Sequence, residues 1–173
     1  YYELFANGNH AATGLFEVGN PDLSLEKANG IDLQLKIRSD RYAGSVGAFY
    51  NRFRNYVALF DSGNTRSAEG ELNPVEDPAN PGFTVDGVGI LPESVVRPVR
   101  AEFYGFEAEG KSRLLDGASG RVDGSLRADY VHAKDSDTGQ ALPRISPLRL
   151  GGGLNWTSGP WDARVDVTRA FRQ

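Results

Sequence analysis

Cysteine is absent from the 173 residues and histidine occurs only twice. Without thiols the chain has no disulfide framework, no Cys-based zinc site and no thiol nucleophile, a composition that suits an oxidising compartment. Long apolar runs are also lacking, and mean hydropathy is −0.43. That excludes a transmembrane helix, which needs ~20 mostly apolar residues. It leaves open a membrane sheet, whose strands are apolar on one face only. There is no excess of basic charge either: 19 Lys and Arg stand against 23 Asp and Glu, for a net charge of −4. A surface built to neutralise nucleic-acid phosphates is not expected. Finally, Tyr1-Tyr2-Glu3-Leu4 carries no initiator Met and no cationic-then-apolar leader, and no closing turn follows Phe171-Arg172-Gln173. Residues 1–173 therefore read as a fragment.

What is present is a two-residue period. In Ile31-Asp32-Leu33-Gln34-Leu35-Lys36-Ile37-Arg38 every odd position is a branched apolar residue and every even one is polar, a pattern that fits a strand and no helix. Tyr104, Phe106 and Ala108 alternate with Gly105, Glu107, Glu109 and Lys111, and the same face continues through Gly110 and Ser112 to Leu114. Val122, Gly124, Leu126, Ala128 and Tyr130 alternate with Asp123, Ser125, Arg127 and Asp129. Leu148, Leu150, Leu154 and Trp156 alternate with Arg149 and Asn155, and Trp161, Ala163, Val165 and Val167 with Asp162, Arg164 and Asp166. A strand around Tyr42 to Phe60 is less clean, with Tyr50 on one face and Phe49 and Phe53 on the other. The count is about six strands.

The connections alternate in length. Short polar turns at Ser39-Asp40-Arg41, Asp116 to Gly120 and Thr157 to Pro160 alternate with long stretches at roughly 61 to 97 and 133 to 147. Tyr42, Trp156 and Trp161 flank the short turns. Short turns at one end, long loops at the other and an aromatic girdle at the tight end are the pattern of an outer-membrane barrel. A soluble antiparallel sandwich or barrel would alternate too. It would not need a densely charged polar face on nearly every strand, nor strands of about ten residues, the length a tilted membrane strand requires. The expected fold is all-β: an antiparallel up-and-down transmembrane β-barrel segment, about six strands of a larger barrel.

Catalysis finds little support. His10 and His132 are far apart in sequence and no metal-ligand or triad spacing accompanies them. Glu107 and Glu109 share a face and could act as a carboxylate pair, but lumen charges solvated or paired with Lys111 or basic residues on neighbouring strands account for them better. Gly8, Gly14, Gly19 and Gly151 to Gly153 form no phosphate loop, since none lies between a strand and a helix. Asp135-Ser136-Asp137 lacks the remaining ligands of a calcium loop. Neither an enzyme nor a bound cofactor is expected.

Blocks of the sequence resemble a family. Tyr2 to Gly8, then Phe16-Glu17-Val18-Gly19-Asn20-Pro21-Asp22-Leu23, Glu26 to Asn29 and Ile31-Asp32-Leu33 are similar to the stretch of TonB-dependent receptors in which an extracellular loop descends into a barrel strand. Ala48 to Val57 resembles the next ascending strand, and Phe103 to Gly110 and Leu142 to Gly151 resemble two further barrel blocks, in the family's order. The resemblance implies a bacterial outer-membrane location, lipid contact, and active uptake of a metal ion or metal chelate energised by the TonB complex through a plug domain. The plug and the last strands are expected to lie outside this piece. Within the family, Glu3 to Gly14 most resembles zinc-uptake receptors, where the His corresponding to His10 is a metal ligand; Asn9 replaces the usual Pro before it. Neutral imidazole is a good Zn²⁺ ligand. A ferric siderophore, held by aromatic and basic loop residues, is the alternative ligand. A soluble β-rich binding module and a passive or adhesive barrel are the alternative functions.

Sidedness follows from this reading. Leu33, Leu35, Phe106, Leu126, Leu150 and Val165 are expected to face lipid, and Asp32, Lys36, Glu107, Arg127, Arg149 and Arg164 the lumen. About six strands cannot close the ~22-strand barrel of a plugged transporter. Two open edges and an exposed apolar face are expected, and not a stable soluble monomer.

Overall fold

In the computed structural model, residues 2–172 are described. Tyr1 and Gln173 lie outside them. A single helical turn, α1 (Tyr2–Phe5), precedes eight strands: β1 (Asn7–His10), β2 (Leu15–Val18), β3 (Lys27–Arg38), β4 (Tyr42–Ser67), β5 (Ile90–Gly117), β6 (Gly120–Asp135), β7 (Arg149–Ser158) and β8 (Trp161–Ala170). The six long strands are those that alternation identifies. The helical turn and the two short strands are additions, because four-residue elements are too short to show a period.

The chain forms two compact units. One comprises the residues through Lys27 together with Phe53–Ala101; the other comprises Ala28–Arg52 and the residues from Glu102 onward. The second unit is an antiparallel meander in which β4 pairs with β3 and β5, β6 with β5 and β7, and β7 with β8. Among the described residues β3 and β8 each have one neighbour, so the sheet is open. Its short connections fall at the expected turns. Gly120 (φ 107°) and Gly159 (φ 53°) adopt the left-handed backbone two of these turns need.

Register settles which side chains share a face. Leu126 opposes Gly152, Leu154 opposes Gly124 and Val165, and Val122 opposes Trp156, which opposes Ala163. Asp129 opposes Arg149, Arg127 opposes Gly151, and Asn155 opposes Arg164. Ser45 Oγ donates to Glu109 Oε1 at 3.3 Å. Gly47, two residues along from Ser45 and so on its face, sits against Gln34 Cγ. Leu33 and Leu35 therefore lie on the face opposite Glu107 and Glu109. Among the described residues nothing covers the apolar face: Leu33 is 68% exposed, Leu126 73% and Val165 66%.

Two differences from expectation concern length. The stretch at 61–97 is not one long irregular loop, since β4 continues to Ser67 and β5 starts at Ile90, leaving 68–89 between them. β4 and β5 reach 26 and 28 residues, well beyond the expected ten. A membrane strand needs only ~9–11 residues, so the two strands are longer than a bilayer crossing requires. In the additional length hydrogen bonding, not hydropathy, marks the strand. Asn55 (φ 57°) and Gly63 (φ 79°) interrupt the extended backbone of β4, and such interruptions break the period of two that would have shown it.

Candidate functional site

The second unit presents a membrane wall. Near the short turns the aromatic residues are Tyr42, Trp156 and Trp161, and Trp156 Nε1 donates to the Ser119 carbonyl at 3.0 Å. Eight residues further up the same face of β4 is Tyr50. At a tilt of about 40° that separation spans ~20 Å, close to the height of an outer-membrane apolar band. On β5 and β6, Phe106 packs on Tyr130 and Tyr104 on His132, with ring centroids 6.0 and 5.0 Å apart. Tyr50, Tyr104 and Tyr130 thus form a second aromatic row, which the sequence reading did not single out. His132 joins that row through its Tyr104 contact.

The opposite face is an ionic surface. Arg149 pairs with Asp129 at 2.8 Å, Arg164 with Asp166 at 2.5 Å and Arg121 with Asp123 at 2.7 Å. Arg127 lies across Gly151 to bond Thr168 Oγ1 at 2.6 Å, and a Cβ on Gly151 would sit 2.5 Å from its Nε. This explains the glycine run. Gly151 and Gly153 leave room for side chains of β6 and β8 to lie flat on the polar face, and Gly152 sits against Leu126 on the other. Substituting Gly151 by Leu is expected to displace Arg127 and cost ~1–3 kcal/mol by overpacking, as read in the denaturant midpoint of the full-length receptor.

His10 belongs to the first unit, at the end of β1, which pairs antiparallel with β2 through His10↔Leu15. The turn between them uses Gly14 (φ 66°), and the amides of Thr13 and Gly14 donate to the His10 carbonyl. Gly19 lets α1 approach: a Cβ there would lie 2.8 Å from the Ala6 nitrogen, and the amides of Gly19 and Asn20 cap α1 at Ala6 and Glu3. That packing brings Tyr2 to Glu17. The Tyr2 hydroxyl donates to Glu17 Oε2 at 2.5 Å, and Thr13 Oγ1 lies 3.3 Å from Glu17 Oε1 and 2.9 Å from His10 Nδ1. Glu17 is 4% exposed, whereas the His10 side chain is 45% exposed. Glu17 escaped the sequence reading because a lone Glu in a short strand carries no signal. Among the described residues no three His, Cys, Asp or Glu side chains converge as a metal site. A metal held by His10 would need donors from elsewhere in the receptor.

Beneath this hairpin, β2 pairs parallel with β5, Phe16 opposite Glu93 and Glu17 opposite Ser94. Arg66 bonds Glu93, donates to the Gly70 carbonyl at 2.8 Å and stacks on the Phe16 ring at 5.6 Å. Glu93 lies about ten residues beyond the aromatic row on β5, outside the membrane span. Burial alone would raise its pKa, but hydrogen bonds from Arg66, Ser62 and Asn64 outweigh that and hold it below the ordinary carboxylate value. A depressed folded-state pKa gives stability that is present above the unfolded value and is lost as pH falls through the folded one. Protease protection of segment 68–72 in the full-length receptor is therefore expected at pH 7 and is expected to fade below about pH 4. Protection that does not depend on pH at all through the acid range would remove this role for Glu93.

The remaining loop motif, Asp135-Ser136-Asp137, forms a turn in which Asp135 Oδ1 accepts from the Asp137 amide at 2.8 Å and Oδ2 from Thr138 Oγ1 at 3.0 Å.

A twisted antiparallel meander with one lipid-compatible face, one ionic face and tight turns at one end is a wall of a transmembrane β-barrel. Residues 1–172 match the family described as TonB dependent receptor-like, beta-barrel. The chain belongs to the TonB-dependent receptors and is a protein of the bacterial outer membrane. Among solved structures it is similar to one titled "Copper transporter OprC", at 22% identity and a TM-score of 0.62, over 96% of this chain. The chain spans 21% of the length of that structure.

Proposed function

We propose that this chain is one stretch of the barrel of an outer-membrane active transporter that takes up a divalent transition metal, with zinc favoured, or a metal chelate. In this reading the plug and the rest of the barrel lie outside the chain, and the plug couples the receptor to the TonB complex. The observation that carries it is the match of a receptor barrel over residues 1–172 to a sheet whose two faces differ in chemistry as such a barrel requires. The metal rests on His10, solvent-accessible on its hairpin, and on the sequence likeness of that loop to zinc-uptake receptors. The similar copper transporter supports a metal cargo of the same ligand chemistry, since imidazole suits Zn²⁺ and Cu²⁺ alike.

A ferric siderophore remains the second reading, favoured by cation–aromatic pairs such as Arg97 over Phe60 at 4.9 Å. Zinc and copper titrations of the full-length receptor and of His10→Ala separate the two. The metal reading predicts weakening by His10→Ala beyond the ~10–100-fold typical of losing an outer-shell partner. Equal affinities, or no binding of either ion by the unsubstituted receptor, would remove His10 as a ligand.

A further inference from the structure

We infer that Thr13 and Glu17 act as positioning residues for His10, fixing its imidazole in the Nδ1–H tautomer so that Nε2 is the nitrogen offered to a metal. The inference rests on the metal reading of His10 and adds the groups that prepare it.

Thr13 Oγ1 has three polar neighbours: His10 Nδ1 at 2.9 Å, the His10 carbonyl oxygen at 3.1 Å and Glu17 Oε1 at 3.3 Å. A hydroxyl has one proton to donate and lone pairs with which to accept. Two of the three neighbours, a carbonyl and a carboxylate, are acceptors. The His10 carbonyl already accepts the amides of Thr13 and Gly14, so the acceptor that claims the hydroxyl proton is the charged, buried Glu17 carboxylate, and with the proton on Glu17 the contact with Nδ1 is made by the ring nitrogen as donor. Nδ1 thus carries the proton and Nε2 keeps its lone pair, the form in which imidazole binds a divalent metal.

Glu17 sets this orientation from below. Its carboxylate is buried, Oε2 is held by the Tyr2 hydroxyl at 2.5 Å and Oε1 faces Thr13. Nδ1 is itself 3.7 Å from Oε1, so the carboxylate also favours a proton on that nitrogen. With both oxygens engaged and the group covered, Glu17 works through Thr13 and is not itself a metal ligand. The arrangement is a carboxylate–hydroxyl–imidazole relay, one hydroxyl longer than the carboxylate–imidazole pairs that orient metal-bound histidines. The hairpin register supplies it: His10 and Thr13 flank the β-turn, and Glu17 is two residues past Leu15, the partner of His10. An Nε2 donor without a hard-oxygen cage selects borderline ions such as Zn²⁺ or Cu²⁺ over Mg²⁺ or Ca²⁺.

The test uses the full-length receptor, Zn²⁺ alone as the probe, and four variants: His10→Ala, Thr13→Val, Thr13→Ser and Glu17→Gln. Thr13→Val keeps the shape and removes the hydroxyl. It is expected to weaken Zn²⁺ binding ~10–100-fold, and Thr13→Ser to restore it. Glu17→Gln is expected to weaken binding by a smaller factor. In the metal-free receptor, ¹⁵N spectra of the His10 ring are expected to show the Nδ1–H tautomer, and Thr13→Val to show a mixture of tautomers. Loss of binding in His10→Ala with none in Thr13→Val, or an Nε2–H tautomer in the metal-free receptor, overturns the inference and leaves the metal reading standing. Unchanged binding in His10→Ala overturns both.

Discussion

Placing an arginine at Leu126 is expected to destabilise the full-length receptor in phospholipid bilayers by ~2–4 kcal/mol. Leu126 lies on the apolar face of β6 opposite Gly152 and is 73% exposed. It stands six residues above Gly120, which at the usual rise and tilt is ~15 Å, near the middle of the hydrocarbon. A guanidinium there exchanges water for lipid with no carboxylate opposite. The neighbouring lumen position gives the contrast. Arg127→Leu removes the bond to Thr168 and exposes an apolar side chain to a wet surface, which is expected to cost less than about 1 kcal/mol. Denaturant titrations of both variants reconstituted in the same vesicles measure the difference. Equal costs at 126 and 127 would mean that the two faces do not meet different solvents.

An equally large loss is expected from Gly105→Val, for a different reason. A Cβ at Gly105 would lie 2.1 Å from the Tyr130 carbonyl and 2.8 Å from the Phe49 ring. The first contact is with the backbone of the adjacent strand β6 and cannot be relieved by a rotamer. The β5–β6 ladder has to move, and the cost is expected to meet or exceed the ~1–3 kcal/mol of an overpacked core. Failure to assemble shows as loss of the compact, heat-modifiable form of the full-length receptor on unboiled gels. Phe49→Leu alone is expected to leave that form intact, because it empties the space above the glycine without forcing the backbone.

Phe49 also shows how far alternation can be read. On β3, β6, β7 and β8 polar and apolar residues separate cleanly, and on β6, β7 and β8 register reproduces the expected faces. On β4 an aromatic residue falls among the polar positions, and the strand looks ambiguous. The reason lies on another strand: the Phe49 ring fills the space left by Gly105 on β5, a long-range pairing that no local pattern contains. The same limit applies to the hairpin. His10 is legible as a metal-ligand residue type, but the Thr13, Glu17 and Tyr2 groups around it depend on α1 folding back onto Gly19, and four-residue elements have no period to betray them. The extension of β4 to Ser67 and of β5 back to Ile90 was hidden by Asn55, Gly63 and a run of loop-type residues.

Because residues 1–173 contain no cysteine, single cysteines can be introduced along Val122 to Tyr130 of β6 in a full-length receptor otherwise free of cysteine, spin-labelled and reconstituted in vesicles. Collision rates with oxygen, which concentrates in lipid, and with a water-soluble nickel chelate report the solvent at each position. The account predicts a strict period of two: labels at 122, 124, 126, 128 and 130 meet oxygen, and labels at 123, 125, 127 and 129 meet the chelate or are shielded by neighbouring protein. Chelate access at 126 with oxygen access at 127, or accessibility with no period along the strand, would contradict the placement of this sheet as a wall between lipid and lumen.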